Sequence, residues 1–361
     1  MSSHLEYQDL LENSAYEEPK GRKNIFHGII IAVIAITCTG AGLPLITMYN
    51  EVSVEIIGIW RVQMTLIYLI PVSFIILVRN KIKLKQVLSK EYCGRIVIGA
   101  TIYTFGTFLS IKGGRLTLMS HVATLSNSGG VFIVLVSIIM CMRVHKFEIL
   151  GTILVVVGII VLLFDKSSEK SGSETNIMKG DLLSLASMPL YTISSMINDK
   201  ARSKLPSMVV FCLFSIVQLF VYGTYSVIVS GQDLEILFST HQTYGFFGWM
   251  QPDTILFSLV VIGLVCGVLG VGSYIYLLEY FPPHITSGIF LLEPFVSQYM
   301  GILLGVDKFP SFVTYVGVIF IMFGMASNIQ GYRLNQKEQT PKISSIELPN
   351  ASLSSEEMRI L

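Results

Sequence analysis

Apolar residues run through this chain in long blocks separated by short polar stretches. Ten blocks stand out, at roughly 26–48, 56–78, 95–112, 117–140, 147–164, 178–198, 207–229, 254–279, 284–305 and 311–330. Each is close to the ~20 residues that a helix needs to cross a hydrocarbon core roughly 30 Å thick. They are too long for membrane strands and lack period-two alternation, so the pattern predicts helices. The expected fold class is an all-α polytopic membrane protein of ten transmembrane helices.

The 52% hydrophobic and 14% charged content supports that picture, since a soluble domain carries about 25% charged residues. The few charges are sorted by side. With the N-terminus in the cytosol, ten spans place 18 Lys and Arg on the cytosolic side and 6 on the other, with Arg61 inside a span. This asymmetry follows the positive-inside rule and predicts that both termini are cytosolic. Residues 1–24 and 333–361 are expected to be disordered tails, and 166–177 a flexible linker between 25–165 and 178–332. Residues 1–20 are polar and acidic and do not read as a secretory signal.

The two halves echo each other. HVATLSNSGGVFIVLVSIIMCMRVHKFEILG ends at Gly151, and TSGIFLLEPFVSQYMGILLGVDKFPSFVTYVG ends at Gly317. Aligning these glycines gives an offset of 166, which superposes Asn127 on Glu293 and Ser128 on Pro294. Five spans is an odd number, so the second half must lie inverted in the membrane. The expected architecture is therefore two inverted five-helix repeats, a common one for transporters.

The motifs IGIWRVQ around Arg61, G-x-x-L-x-V-x-G at Gly151–Gly158 and LLEPFVSQYMGILLGVDKF at 291–309 resemble the drug/metabolite transporter superfamily, specifically the EamA-type domain repeated twice. The first half departs from the family pattern, with Asn-Ser-Gly-Gly where a proline often sits. The resemblance implies ten helices around a central cavity and the export or exchange of a small organic solute. Its substrate class does not transfer, because the motifs of relatives that carry nucleotide sugars or triose phosphates are absent.

Candidate site residues follow from what a transporter needs, a polar site near mid-depth built on interrupted helices. Span four is interrupted by Ser126–Gly130 and span nine by Glu293–Pro294. The glycines also suit plain close packing of helices. An ionised Glu293 at mid-depth costs a few kcal/mol, so it must be protonated, paired or in a wet cavity. That fits proton coupling, or a structural acid bonded to backbone freed by Pro294. Asn127 and Ser126 suit a polar solute or an interhelical hydrogen bond. Arg61, five residues into span two, suits an anionic solute, or snorkels to the headgroups or ties helices together. Tyr103, Tyr191, Tyr274 and Gln298 are cavity-lining candidates. Asp307 and Glu279 lie at span ends and are expected at the interface. His121, near Lys112 and Arg115, is given no switching role. Gly263, Gly267 and Gly270 form a small-residue stripe for close packing or for sliding.

No phosphate loop, zinc motif or catalytic triad is found, and an enzyme is not expected. Cys38, Cys93, Cys141, Cys212 and Cys266 show no metal-ligand spacing and read as packing residues, so no metal or cofactor is expected. The expected partners are a small-molecule solute and the lipid bilayer, with no nucleic acid; a homodimer is left open. EYQDLL contains overlapping sorting signals at Glu6, Tyr7, Leu10 and Leu11, which would meet adaptors of the endosomal or lysosomal route. The membrane is thus left open between plasma membrane and endosome or lysosome. A channel is disfavoured, since no ring of like charges is visible. The competing reading is a non-transporting scaffold or regulator on the same fold.

Overall fold

A computed structural model describes residues 25–82, 84–165, 176–229, 231, 233–277, 280–281, 286 and 289–339. The sorting signals at Glu6, Tyr7, Leu10 and Leu11, Glu279, and most of both tails and the linker lie outside these. The described chain is helical throughout. The helices are α1 (Ile25–Thr47), α2 (Val54–Arg79), α3 (Lys90–Gly114), α4 (Met119–Asn127), α5 (Gly129–Ile139), α6 (Lys146–Leu163), α7 (Ile177–Lys204) and α8 (Ser207–Val229). They continue with α9 (Pro252–Phe257), a π-helical stretch at Ser258–Gly272, α10 (Ser273–Leu277), α11 (Glu293–Leu303) and α12 (Phe312–Gln339). Short helical turns at Leu84–Val87 and Leu234–Leu237 join them.

Eight helical stretches among the described residues are long and apolar enough to cross a membrane, from Phe26–Thr47 to Phe312–Asn335. The chain is therefore a multi-pass integral membrane protein. The two expected spans outside this set fail for different reasons. Helix α7 has 28 residues, length to spare, but too many of them are polar. Its Asp181, Ser184, Ser187, Ser194 and Asn198 recur at helical spacing, and all are buried. The polar stripe faces inward, so hydropathy hides this helix. In the region 284–305, the described helix is the 11-residue α11.

The surface is inverted relative to a soluble protein. Phe26, Phe74, Ile75, Phe220, Ile228 and Phe323 are exposed, whereas His121, Asp181, Ser187 and Gln298 are buried. Apolar lipid tails give helices no hydrophobic reason to associate, so close packing and hydrogen bonds must hold the bundle. Glycines supply the packing. Gly151 faces the Gly324 carbonyl, and a Cβ on Gly158 would stand 2.7 Å from the Gly317 carbonyl. The pairing order shows that α6 and α12 run antiparallel, backbone against backbone. A Cβ on Gly263 would meet the Met64 side chain at 2.7 Å, and Gly267 abuts Thr65. Gly263 and Gly267 thus pack the π-helical stretch on α2, while Gly270 faces the Cys38 backbone of α1. Gly113 and Gly180 do the same for α3 and α7.

Hydrogen bonds clamp one end. Trp60 is fully buried and its Nε1 donates to the Gly245 carbonyl at 3.0 Å. Trp249 Nε1 donates to Gln63 Oε1 at 2.6 Å, so the stretch before α9 caps α2. Arg115 donates to the carbonyls of Tyr49 and Val52, tying the α1–α2 turn to the end of α3. Burial pulls this guanidinium below its ordinary pKa, with Glu55 opposing.

Candidate functional site

Both expected interruptions are present. Helix α4 stops at Asn127, Ser128 leaves the helical path, and α5 restarts at Gly129. On the other side, Leu291 and Leu292 form a turn and α11 starts at Glu293, with Pro294 in its first turn. Proline has no N–H to donate, so it fits a first turn better than a helix interior. The carboxylate at the start of α11 also meets the positive end of that helix dipole.

The two breaks meet. Asn127 Nδ2 donates to Glu293 Oε2 at 2.9 Å, across 166 residues of sequence. Both side chains keep partial exposure, so the pair is not sealed. Beside it stands an aromatic group. The Tyr103 and Tyr191 rings lie 4.9 Å apart, and Tyr103 also packs edge-on against Phe214. Tyr222 is fully buried against Gly58 of α2, and among the described residues its hydroxyl has no hydrogen-bond partner. Arg61 and Glu293 both act electrostatically on Tyr103, and Arg61 also acts on Tyr222. Arg61 is part-buried and among the described residues has no carboxylate within ion-pair distance.

The remaining candidates fall elsewhere. Gln298 is buried and bonded at both ends of its amide: Oε1 accepts from Ser120 N and Oγ, and Nε2 donates to the Lys308 carbonyl at 3.2 Å. It holds α11 to the start of α4. Ser126 shares a 3.0 Å hydrogen bond with Ser187 of α7. Tyr274 packs edge-on against Phe290 in a separate apolar cluster with Ala32 and Ala35. Two small cavities border the site. One of about 20 Å³ lies between Ser120, Pro294, Gln298 and Thr314, and one of about 10 Å³ beside Thr104 and Tyr222. Each holds about one water at most.

A second polar group was not expected from sequence. His121 is fully buried, its Nδ1 3.0 Å from Asp181 Oδ1, itself fully buried. Thr117 donates to the same carboxylate. The other ring nitrogen lies 3.2 Å from Thr314 Oγ1, which donates to Asp165 Oδ2 at 2.7 Å. Asp307 is buried too, and accepts from Met119 N at 2.7 Å. An unbonded N–H at the start of α4 needs an acceptor, and this carboxylate supplies it.

Comparison with known proteins supplies the context. Residues 23–270 match the family model described as SLC35F, solute carrier family 35. No curated protein matches the sequence. A solved structure, titled only as the crystal structure of a protein, is similar with a TM-score of 0.54 and 15% identity, over 87% of this chain and 99% of that one. At that identity the likeness speaks for the fold alone. The family model spans more than half of the chain, and the chain belongs to solute carrier family 35.

Proposed function

We propose that this protein moves a small organic solute across a membrane by alternating access, with the Asn127–Glu293 pair, Arg61, Tyr103 and Tyr191 forming the central site. The observation that carries the reading is the 2.9 Å contact between two helix breaks 166 residues apart. That separation equals the repeat offset read from the sequence, so the pair stands where a pseudo-two-fold axis of two inverted repeats would pass. The glycine contacts fit the same axis. Gly151 meets Gly324 and Gly158 meets Gly317, and the offset carries each contact onto the other. Ten spans, the EamA-type arrangement and cytosolic termini complete the proposal.

Chemically, Asn127 offers both a donor and an acceptor, and Glu293 an acid that a neighbouring hydrogen bond already engages. Arg61 brings a positive charge without a carboxylate partner among the described residues, and its field reaches Tyr103 and Tyr222. Such a wall suits a solute with an anionic group and a flat or hydroxylated body. The small cavities fit a closed conformation, from which solute enters only after the halves rock apart.

The small cavities also favour the scaffold reading, in which the core never opens. One experiment separates the two. The purified protein is screened by thermal shift against metabolite pools, since a ligand that binds the native state raises its stability. A solute-dependent shift that Glu293→Gln removes is the expected result. No shift in any pool, together with no solute movement in liposomes, counts for the scaffold.

A further inference from the structure

Helix α8 carries polar groups that its neighbours leave unserved. Phe214, Gln218 and Tyr222 recur at four-residue spacing and share one face of the helix. Gln218 lies midway along this 23-residue span and is 3% exposed, yet its Nε2 meets no acceptor among the described residues. The Tyr222 hydroxyl is equally unpartnered. Buried polar groups in native structures are rarely left so without a reason. Helix α2 brings a charge to the same depth. Ser73 Oγ donates to the Met208 carbonyl at 3.1 Å, and Tyr222 stands on Gly58, so α2 and α8 run antiparallel. That register puts Gln218 level with Arg61 and Val62. The Arg61 charge is felt by Tyr222 of α8, Tyr103 of α3 and Cys266 of the π-helical stretch, three elements around one interior.

We propose that α2 and α8 bind the anionic end of the solute, a single carboxylate held by Arg61, the Gln218 amide and the Tyr222 hydroxyl, with its apolar body against Tyr103 and Phe214. The inference rests on the solute-carrying reading above and names the solute class, an aromatic or apolar monocarboxylate. Arg61 and Gln218 Nε2 only donate, and Tyr222 can donate too, so the partner they lack is an acceptor. A carboxylate offers two oxygens and takes charge-assisted hydrogen bonds from a guanidinium.

The charge of the ligand is set by what surrounds Arg61. Helices α1 and α8 and the span 252–277 contain no Lys or Arg. On α2 and α3 the others, Arg79, Lys90, Arg95 and Lys112, sit within the first or last two turns. A second negative charge would enter at membrane depth without a counter-charge, which is costly. Glu293, whose field also reaches Tyr103, would repel it. The body is set by the rings. Phe214 lies edge-on to Tyr103 at 5.2 Å, and Tyr103 lies 4.9 Å from Tyr191. Such a wall favours a flat, apolar body. The cavity that touches Tyr222 is about 10 Å³, so the same groups take the anion in a more open state of the bundle.

The test uses the full chain in detergent, with benzoate as the probe and benzyl alcohol and phenyl phosphate as its neutral and doubly charged counterparts. At about pH 8 benzoate carries one negative charge and phenyl phosphate about two. Ligand-observed NMR reads the affinities. Benzoate is expected to bind at about millimolar strength, as suits a ligand of its size, and the other two about tenfold more weakly. Gln218→Leu should lose about tenfold in benzoate affinity with no fall in thermal stability, because an unserved amide gives way to an apolar side chain. Tyr222→Phe keeps the ring on Gly58 and should lose affinity by several-fold, about the effect of one hydrogen bond. A Gln218 that serves only the fold does the reverse, so a lower melting temperature with unchanged affinity overturns the proposal. Absence of benzoate binding overturns it too, as does benzyl alcohol or phenyl phosphate binding as tightly as benzoate. The two readings fail separately. A metabolite-dependent stabilisation that Glu293→Gln removes keeps the solute-carrying reading if benzoate fails. Benzoate binding without solute movement in liposomes leaves an anion site on a scaffold.

Discussion

The two polar regions of the bundle handle the same cost in opposite ways. Around His121 the side chains are sealed and their hydrogen-bonding capacity is used up. His121, Asp181, Thr117 and Thr314 are almost without exposure. Around Asn127 and Glu293 the side chains keep partial exposure, and the nearby Arg61 has no carboxylate partner. A saturated network inside a membrane protein has nothing left to offer a ligand and serves to hold helices together. A network with spare donors and charge is one that something else completes. The difference separates a lock from a binding site without reference to any solute.

The largest effect should come from breaking the lock. Asp181→Ala leaves the buried His121 Nδ1 and the Thr117 hydroxyl without their carboxylate partner, and each such buried orphan costs about 1–3 kcal/mol. Thermal unfolding in detergent should show the loss, and a midpoint close to that of the unmodified protein would dissolve the distinction between the two regions. Next comes the glycine seam between α6 and α12. A side chain at Gly158 meets the Gly317 carbonyl at 2.7 Å, so Gly158→Val should cost about 1–3 kcal/mol by overpacking. The same measurement reads it. Gly223, with nothing within 4 Å of an added Cβ, is the matched control and should accept alanine without loss. Equal costs at both positions would mean that the seam is not a tight contact.

Much of this fold is legible in the chain because apolar blocks of membrane length carry the helices. Both helix breaks are legible as well, Ser126–Gly130 from its small residues and Glu293 from the proline behind it. The offset of 166 even brings the right partners together, Asn127 with Glu293. What stayed hidden has a common cause. Asp181 and His121 are 60 residues apart and Asp307 lies 188 residues from Met119, so depth along a span says nothing about who covers them. Asp181 heads a stripe of α7 with Ser184 and Ser187 at helical spacing, a signal present in sequence that average hydropathy erases. Gln298 was legible as an inward-facing residue, but its role as a tie to Ser120 required the other helix. Phe214 joined Tyr103 by packing, which spacing alone does not reveal.

A smaller effect on stability, and a larger one on binding, is expected at Arg61. Among the described residues the guanidinium has no carboxylate partner, so Arg61→Gln removes a charge without orphaning another. The change in unfolding free energy should stay within about 1 kcal/mol, well short of the Asp181→Ala loss. Relief of a partly buried charge would pull it in the stabilising direction. Binding should respond in the other sense. If the guanidinium holds an anionic group of the solute, losing it costs about 2–5 kcal/mol of affinity, and Arg61→Lys recovers only part because a point charge cannot form the paired hydrogen bonds. Titration by thermal shift with the solute found in the screen reads both quantities from one set of curves. Unfolding loss without affinity loss would make Arg61 another structural tie, and the central region would then resemble the lock it has been contrasted with.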